Sequence, residues 1–137
     1  MWQNYFQRTL VVSLPSRTDR REKIDQQFWE YGIEYEYFPA IPHDRGAYGL
    51  MLTMKKLFKD CLNDGLDNVP VFEDDCKLLE TKEVFDLTMS GCVNDLKSIQ
   101  WDMFYLGVQH TRRFERFRTY NILPVSRGYS THSVGVS

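Results

Sequence analysis

Short runs of β-branched and aromatic residues alternate along this chain with longer segments whose apolar residues recur at helical spacing, three times in succession. Strands separated by helices cannot pair through tight hairpins. Each crossover returns the chain parallel to its start, so the alternation predicts an α/β fold with a mainly parallel sheet and helices on both faces. "TLVVSL" (residues 9–14) reads as a buried strand broken by Pro15. A helix follows, with Ser16 as its cap, Asp19 as a capping-box-like partner, Ile24 and Phe28 on one stripe and Gly32 as its stop. "YEYF" (35–38) is a second strand, ended by Pro39 and Pro42. Over 47–63, Leu50, Met54, Leu57, Phe58, Cys61 and Leu62 mark a second helix that exits at Gly65. "VPVF" (69–72) is a third strand, with Pro70 near its start, where a missing donor is tolerated. Residues 81–100 form a third helix through Val84, Phe85, Leu87, Cys92, Leu96 and Ile99, weakened in its middle by Gly91. "WDMFYLG" (101–107) is a fourth strand, "YNILPV" (120–125) a short strand candidate, and "THSVGVS" (131–137) begins one more.

At 137 residues the chain has the length of a single domain, 1–137, with one core. Its 42% apolar and 15% aromatic content is enough to offset ordering entropy, so the reading is globular. A formal net charge of −2 argues against a general nucleic-acid binder, while local basic groups remain able to hold a small phosphate ligand. No apolar run approaches the roughly 20 residues of a membrane span, and "MWQNYFQRTLVVSL" lacks the pattern of a signal peptide. Cys61, Cys76 and Cys92 have neither an even count nor C-x-x-C spacing, which predicts reduced thiols and a cytoplasmic chain.

Ligands of open parallel sheets bind outside the carboxyl ends of the strands, so residues 15–21 and 73–75 are expected on one rim. The second segment is the acidic triplet of "VPVFEDDCKLL". Three adjacent carboxylates behind an apolar run repel one another, and a hard cation such as Mn²⁺ or Mg²⁺ relieves that repulsion. Strand alternation sends Glu73 and Asp75 to one side and Asp74 to the other. The bland alternative is an acidic strand end that solvates itself. In "SLPSRTDRREKI", Arg17, Arg20 and Arg21 crowd the start of a helix, where cations oppose the macrodipole, and an anionic ligand explains them. Pairing with Asp19 and Glu22 explains them equally well.

Taken in order, "SLPSRTDRREKI", "YFPAI", "GLMLTMKKLFKDCL", "VPVFEDDCKL", "WDMFYLG" and "STHSVGVS" resemble glycosyltransferase family 25, which includes lipopolysaccharide-biosynthesis and collagen galactosyltransferases. The resemblance implies the GT-A-like nucleotide-diphosphosugar transferase fold. It implies transfer of a hexose, galactose or glucose, from a UDP-sugar donor to a hydroxyl of a glycan, lipid-linked or protein acceptor, with inversion. It places Ser13, Leu14, Arg17, Arg20, Glu73 and Asp74 at the nucleotide-sugar, and Asp75 and His132 at Mn²⁺ or Mg²⁺. Two departures stand out: Thr53 and Met54 where the family has Ser-His, and an end five residues after His132, which predicts a missing acceptor-binding half.

An inverting transfer needs a carboxylate base beside the acceptor hydroxyl. Asp102 precedes a strand and falls on the wrong rim. Asp44 and Glu115 remain, and no base is assigned. Three competing readings are a non-catalytic remnant that binds nucleotide-sugar or metal, a metal-dependent phosphohydrolase, and an interaction surface in "HTRRFERFRTY", for which solvated arginines on an amphipathic strand are preferred.

Overall fold

A computed structural model describes residues 1–106, 121–122 and 133–136. After a short 3-10 helix, Trp2–Tyr5, the chain forms β1 (Leu10–Ser13), α1 (Thr18–Tyr31), β2 (Glu36–Pro39), α2 (Gly46–Asn63), β3 (Val69–Glu73), α3 (Lys82–Leu96), β4 (Met103–Tyr105) and β5 (Ser133–Val136). The sheet order is β2-β1-β3-β5-β4. β1 pairs in parallel with β2 and β3, as the alternation requires. β5 lies antiparallel between β3 and β4, so the sheet is parallel only on its first side. The linear pattern contained no sign of this insertion, because strand direction depends on a return path rather than on residue type.

Both faces are covered. Val11 and Phe72 face α1 and α3, where Ile24, Phe28, Met89, Val93 and Leu96 complete a core with Trp2 and Phe6. Leu10, Val12, Val69 and Val71 point the other way, onto Leu57 and Cys61 of α2. Period-two alternation in two adjacent parallel strands thus divides the apolar residues between two helical layers. The amino-terminal turn locks onto the first layer: Trp2 Nε1 donates to Asp86 Oδ1 at 3.0 Å, and its ring meets Phe85 edge-on.

Several boundaries differ from expectation. Arg17, not Ser16, is the N-cap of α1 and makes no side-chain capping bond; the Asp19 carboxylate is engaged by the Arg17 guanidinium and by backbone N–H groups of the first turn. α3 starts where expected, with Thr81 accepting from Val84 N, but it ends at Leu96, and Ile99 packs against the core from the turn that follows. Gly91 does not break α3: a Cβ there would lie 2.8–3.0 Å from the Asn121 side chain, which the glycine lets approach. Leu62 and Leu87, assigned to apolar stripes, are exposed. Of the segment that includes "YNILPV", Asn121 and Ile122 are described and neither is in a strand; the remainder lies outside the described residues.

The loop after β2 is fixed from α2. Thr53, fully buried, accepts from Ile41 N (2.8 Å) and donates to the Gly49 carbonyl (2.7 Å). Met54, at the family's histidine position, packs onto the α2-side core. A Cβ on Gly49 would fall 2.8 Å from the Ile41 carbonyl oxygen. Gly49→Ala is therefore expected to lower stability by about 1–3 kcal/mol although alanine is the better helix former. Urea denaturation checks this; a stabilised variant would show that the loop yields freely.

Candidate functional site

β1 and β3 end side by side, with Val12 opposite Glu73, so Ser13 stands next to the start of the acidic triplet. The triplet leaves the strand in a turn closed by Cys76 N–H donating to the Glu73 carbonyl (3.1 Å). This turn changes the expected directions. Asp74 reaches inward, only 9% exposed, and accepts from Ser13 Oγ and from Arg20 Nη1, each at 2.8 Å. Asp75 is 42% exposed, and its Oδ2 lies 4.0 Å from the same Arg20 nitrogen. Asp74 and Asp75 thus share a cation instead of pointing to opposite sides, because alternation applies to an extended strand and not to a turn. Glu73 is half-buried at the last position of β3.

The three arginines take different places. Arg17 pairs with Asp19 at 2.7 Å, and this hydrogen-bonded contact holds the Asp19 carboxyl well below the usual carboxylate range. Arg21 donates Nε to Ser13 Oγ and Nη2 to the Ser13 carbonyl, both at 3.3 Å, while its guanidinium lies over the Tyr37 ring at 4.3 Å. Arg20 pairs with the triplet through Asp74 and Asp75, and it is 37% exposed. Leu14 is half-buried in the connection to α1, its carbonyl accepting from Arg17 N–H at 3.0 Å. The expected convergence of residues 15–21 with residues 73–75 is therefore observed through Arg20. His132 and Glu115 lie outside the described residues. Asp102 stands just before β4, which runs in the same direction as β3, and so sits at the amino end of the sheet. Asp44 is exposed in the loop before α2.

Sequence reasoning gave no role to Tyr35, Tyr37 and Asp25. Both tyrosine hydroxyls bond Asp25 Oδ1, that of Tyr37 at 2.6 Å, bracing β2 against α1 beside Arg21. Burial, with Asp25 adding to it, pushes the Tyr35 hydroxyl up to about 12 and Tyr37 higher still. The alternating "YEYF" puts both rings on one face, and that spacing was the available signal.

Cys76 adjoins the triplet. Burial, with the charges of Asp75, Asp74 and Glu73 adding to it, pushes its thiol up to about 12, which keeps it protonated and disfavours it as a nucleophile or soft-metal ligand at neutral pH. Alkylation at pH 8 should label Cys76 at least about tenfold more slowly than an unhindered thiol, and Asp75→Asn should accelerate it by removing a negative neighbour. Peptide-resolved mass spectrometry reads the rate; no change in Asp75→Asn would show that access alone limits it.

Among the described residues, no three His, Cys, Asp or Glu side chains cluster so as to form a metal cage, and no helix is long and apolar enough to cross a membrane. A cavity of about 380 Å³, lined in part by Gln3, Arg8 and Glu36, opens at the amino end of the sheet, away from the triplet.

No protein-family model matches the chain. It is 24% identical over 132 residues to procollagen galactosyltransferase 1-A of Xenopus laevis, an alignment covering 74% of this chain and 21% of that one. It is 31% identical over 96 residues to the lacto-N-neotetraose biosynthesis glycosyltransferase LgtB of Neisseria meningitidis serogroup B, covering 55% and 35%. A probable inactive glycosyltransferase 25 family member 3 of Bos taurus is 24% identical over 136 residues, covering 74% and 22%. The matches span only about a fifth to about a third of each relative's own length. With the acidic triplet and the arginine turn joined on one rim of an α/β sheet, the chain is thus similar to glycosyltransferases of the family 25 type.

Proposed function

We propose that this chain forms the donor-binding part of a glycosyltransferase that moves a hexose, galactose or glucose, from a UDP-sugar to an acceptor hydroxyl. The fold in this reading is the GT-A-like form. The observation that carries it is the meeting of Ser13, Arg20, Asp74 and Asp75 at the carboxyl ends of two adjacent parallel strands, where such sheets bind ligands.

The donor atoms suit a hard divalent cation, since Glu73 and Asp75 offer carboxylate oxygens and the soft thiol beside them is held protonated. Asp75 is the ligand we assign, with His132 as a second. When bound, Mn²⁺ or Mg²⁺ would neutralise charge on the departing diphosphate. The chain's own part is electrostatic and positional. Arg20, held by Asp74, keeps a guanidinium at the rim where the diphosphate would lie, and Arg17 stands at the mouth of the same turn. Ser13 fixes Asp74, so this charge is set before the donor arrives. Acceptors in this reading are glycan, lipid-linked or protein hydroxyls.

Calorimetric titration of UDP and UDP-galactose, with and without Mn²⁺, tests the proposal. Wild type should bind both more tightly with Mn²⁺, and Asp75→Ala should lose at least about tenfold of that metal-dependent gain. A folded wild type that binds neither nucleotide would overturn it. Binding without sugar transfer to any acceptor would favour a nucleotide-sugar-binding remnant.

A further inference from the structure

Arg20 touches two carboxylates of unlike standing. Its Nη1 lies 2.8 Å from Asp74, which is buried and also receives the Ser13 hydroxyl, and 4.0 Å from Asp75, which is half open to solvent. The first contact is short and sheltered from water; the second is long and screened. Arg17 and Arg21 do not share this arrangement, one being paired with Asp19 and the other tied to Ser13 and Tyr37.

Resting on the donor-site reading above, we propose that Arg20 is a resident counter-ion of Asp74 and Asp75 and changes partners on ligand binding. Before binding it balances both Asp74 and Asp75. A divalent cation that takes Asp75 joins a carboxylate already 4.0 Å from a guanidinium nitrogen, so the two positive charges compete for it. Arg20 then keeps Asp74 as its pivot and turns its fork toward the anionic ligand, for which a guanidinium suits two phosphate oxygens at once. The site thereby disfavours the cation alone and favours cation and diphosphate together. An arginine with a purely structural role would not push the two affinities in opposite directions.

Three proteins decide this: wild type, Arg20→Gln and Arg20→Lys, each checked for folding by circular dichroism. Mn²⁺ alone is titrated by electron paramagnetic resonance of the free ion, and pyrophosphate and UDP by calorimetry in saturating Mn²⁺. Arg20→Gln should bind Mn²⁺ alone roughly threefold to tenfold more tightly, through loss of the competing charge. It should bind pyrophosphate and UDP about tenfold or more weakly. Arg20→Lys should hold Mn²⁺ within about twofold of wild type yet bind pyrophosphate at least about threefold more weakly, because the charge stays and the fork is lost. The proposal is overturned if Arg20→Gln leaves Mn²⁺ affinity unchanged or shifts both ligands in the same direction. Should Arg20→Gln not fold, unchanged pyrophosphate affinity in Arg20→Lys overturns it instead. Pyrophosphate carries the diphosphate without the nucleoside: if it follows the expected pattern while UDP does not bind, the Arg20 proposal stands and the nucleotide reading falls.

Discussion

Phe28→Ala is expected to remove about 3–5 kcal/mol of the protein's folding stability. Phe28 is completely buried where α1 meets the sheet, with its ring edge-on to Tyr35 at 5.0 Å and to Phe72 at 5.2 Å. Truncation removes the apolar transfer term, leaves a cavity between a helix and two strands, and forfeits two aromatic contacts. Such losses cost about 3–5 kcal/mol, against a total stability of about 5–15 kcal/mol for an ordinary domain. Far-UV circular dichroism and a urea transition measure it. A loss below about 1 kcal/mol would mean that α1 does not depend on this seat.

Asp74→Ala is the second large effect. The Asp74 carboxylate accepts from Ser13 Oγ and Arg20 Nη1 in a nearly buried position, so its removal leaves a hydroxyl and a guanidinium without that partner. Breaking a fully buried pair costs about 3–5 kcal/mol, but Arg20 is 37% exposed and regains water, which brings the expected loss down to about 1.5–3 kcal/mol. Asp74→Asn should lose less, since its amide oxygen still accepts from Ser13. It should weaken UDP binding nearly as much, because the charge that positions Arg20 is gone. Thermal unfolding together with UDP titration separates the two. Equal stability of all three proteins would remove Asp74 from its structural role, and full nucleotide affinity in Asp74→Asn would remove it from the site.

The elements that were legible in the sequence are those whose signal is local. Pro15 and Gly32 bracket α1, and Gly32 adopts the left-handed conformation (φ 67°) that glycine tolerates at a helix end. Gly65 does the same after α2 (φ 68°). Ile24, Phe28, Leu57, Cys61, Cys92 and Leu96 are buried as their spacing indicates. The rim shared by β1 and β3 was also legible, because parallel neighbours must end on the same side.

What escaped the sequence depends on partners far away in the chain. Thr53 stands in the sequence only as a departure from the Ser-His of the resembled family, but it is a buried hydroxyl that accepts from Ile41 N. Gly91 looked like a weakness in α3, but it makes room for Asn121, 30 positions later.

The sequence by itself determined the βα alternation, a parallel pairing of the first strands with helices on both faces, and the presence of arginines and carboxylates on one rim, since periodicity, breakers and crossover geometry act over a few residues. Only the tertiary structure decided that β5 enters antiparallel beside β3, that a turn draws Asp74 inward, and that Arg20 pairs with Asp74 while Arg17 pairs with Asp19 and Arg21 bonds Ser13. Those outcomes depend on which distant groups meet. A buried carboxylate takes whichever hydroxyl and cation the fold brings within hydrogen-bond distance.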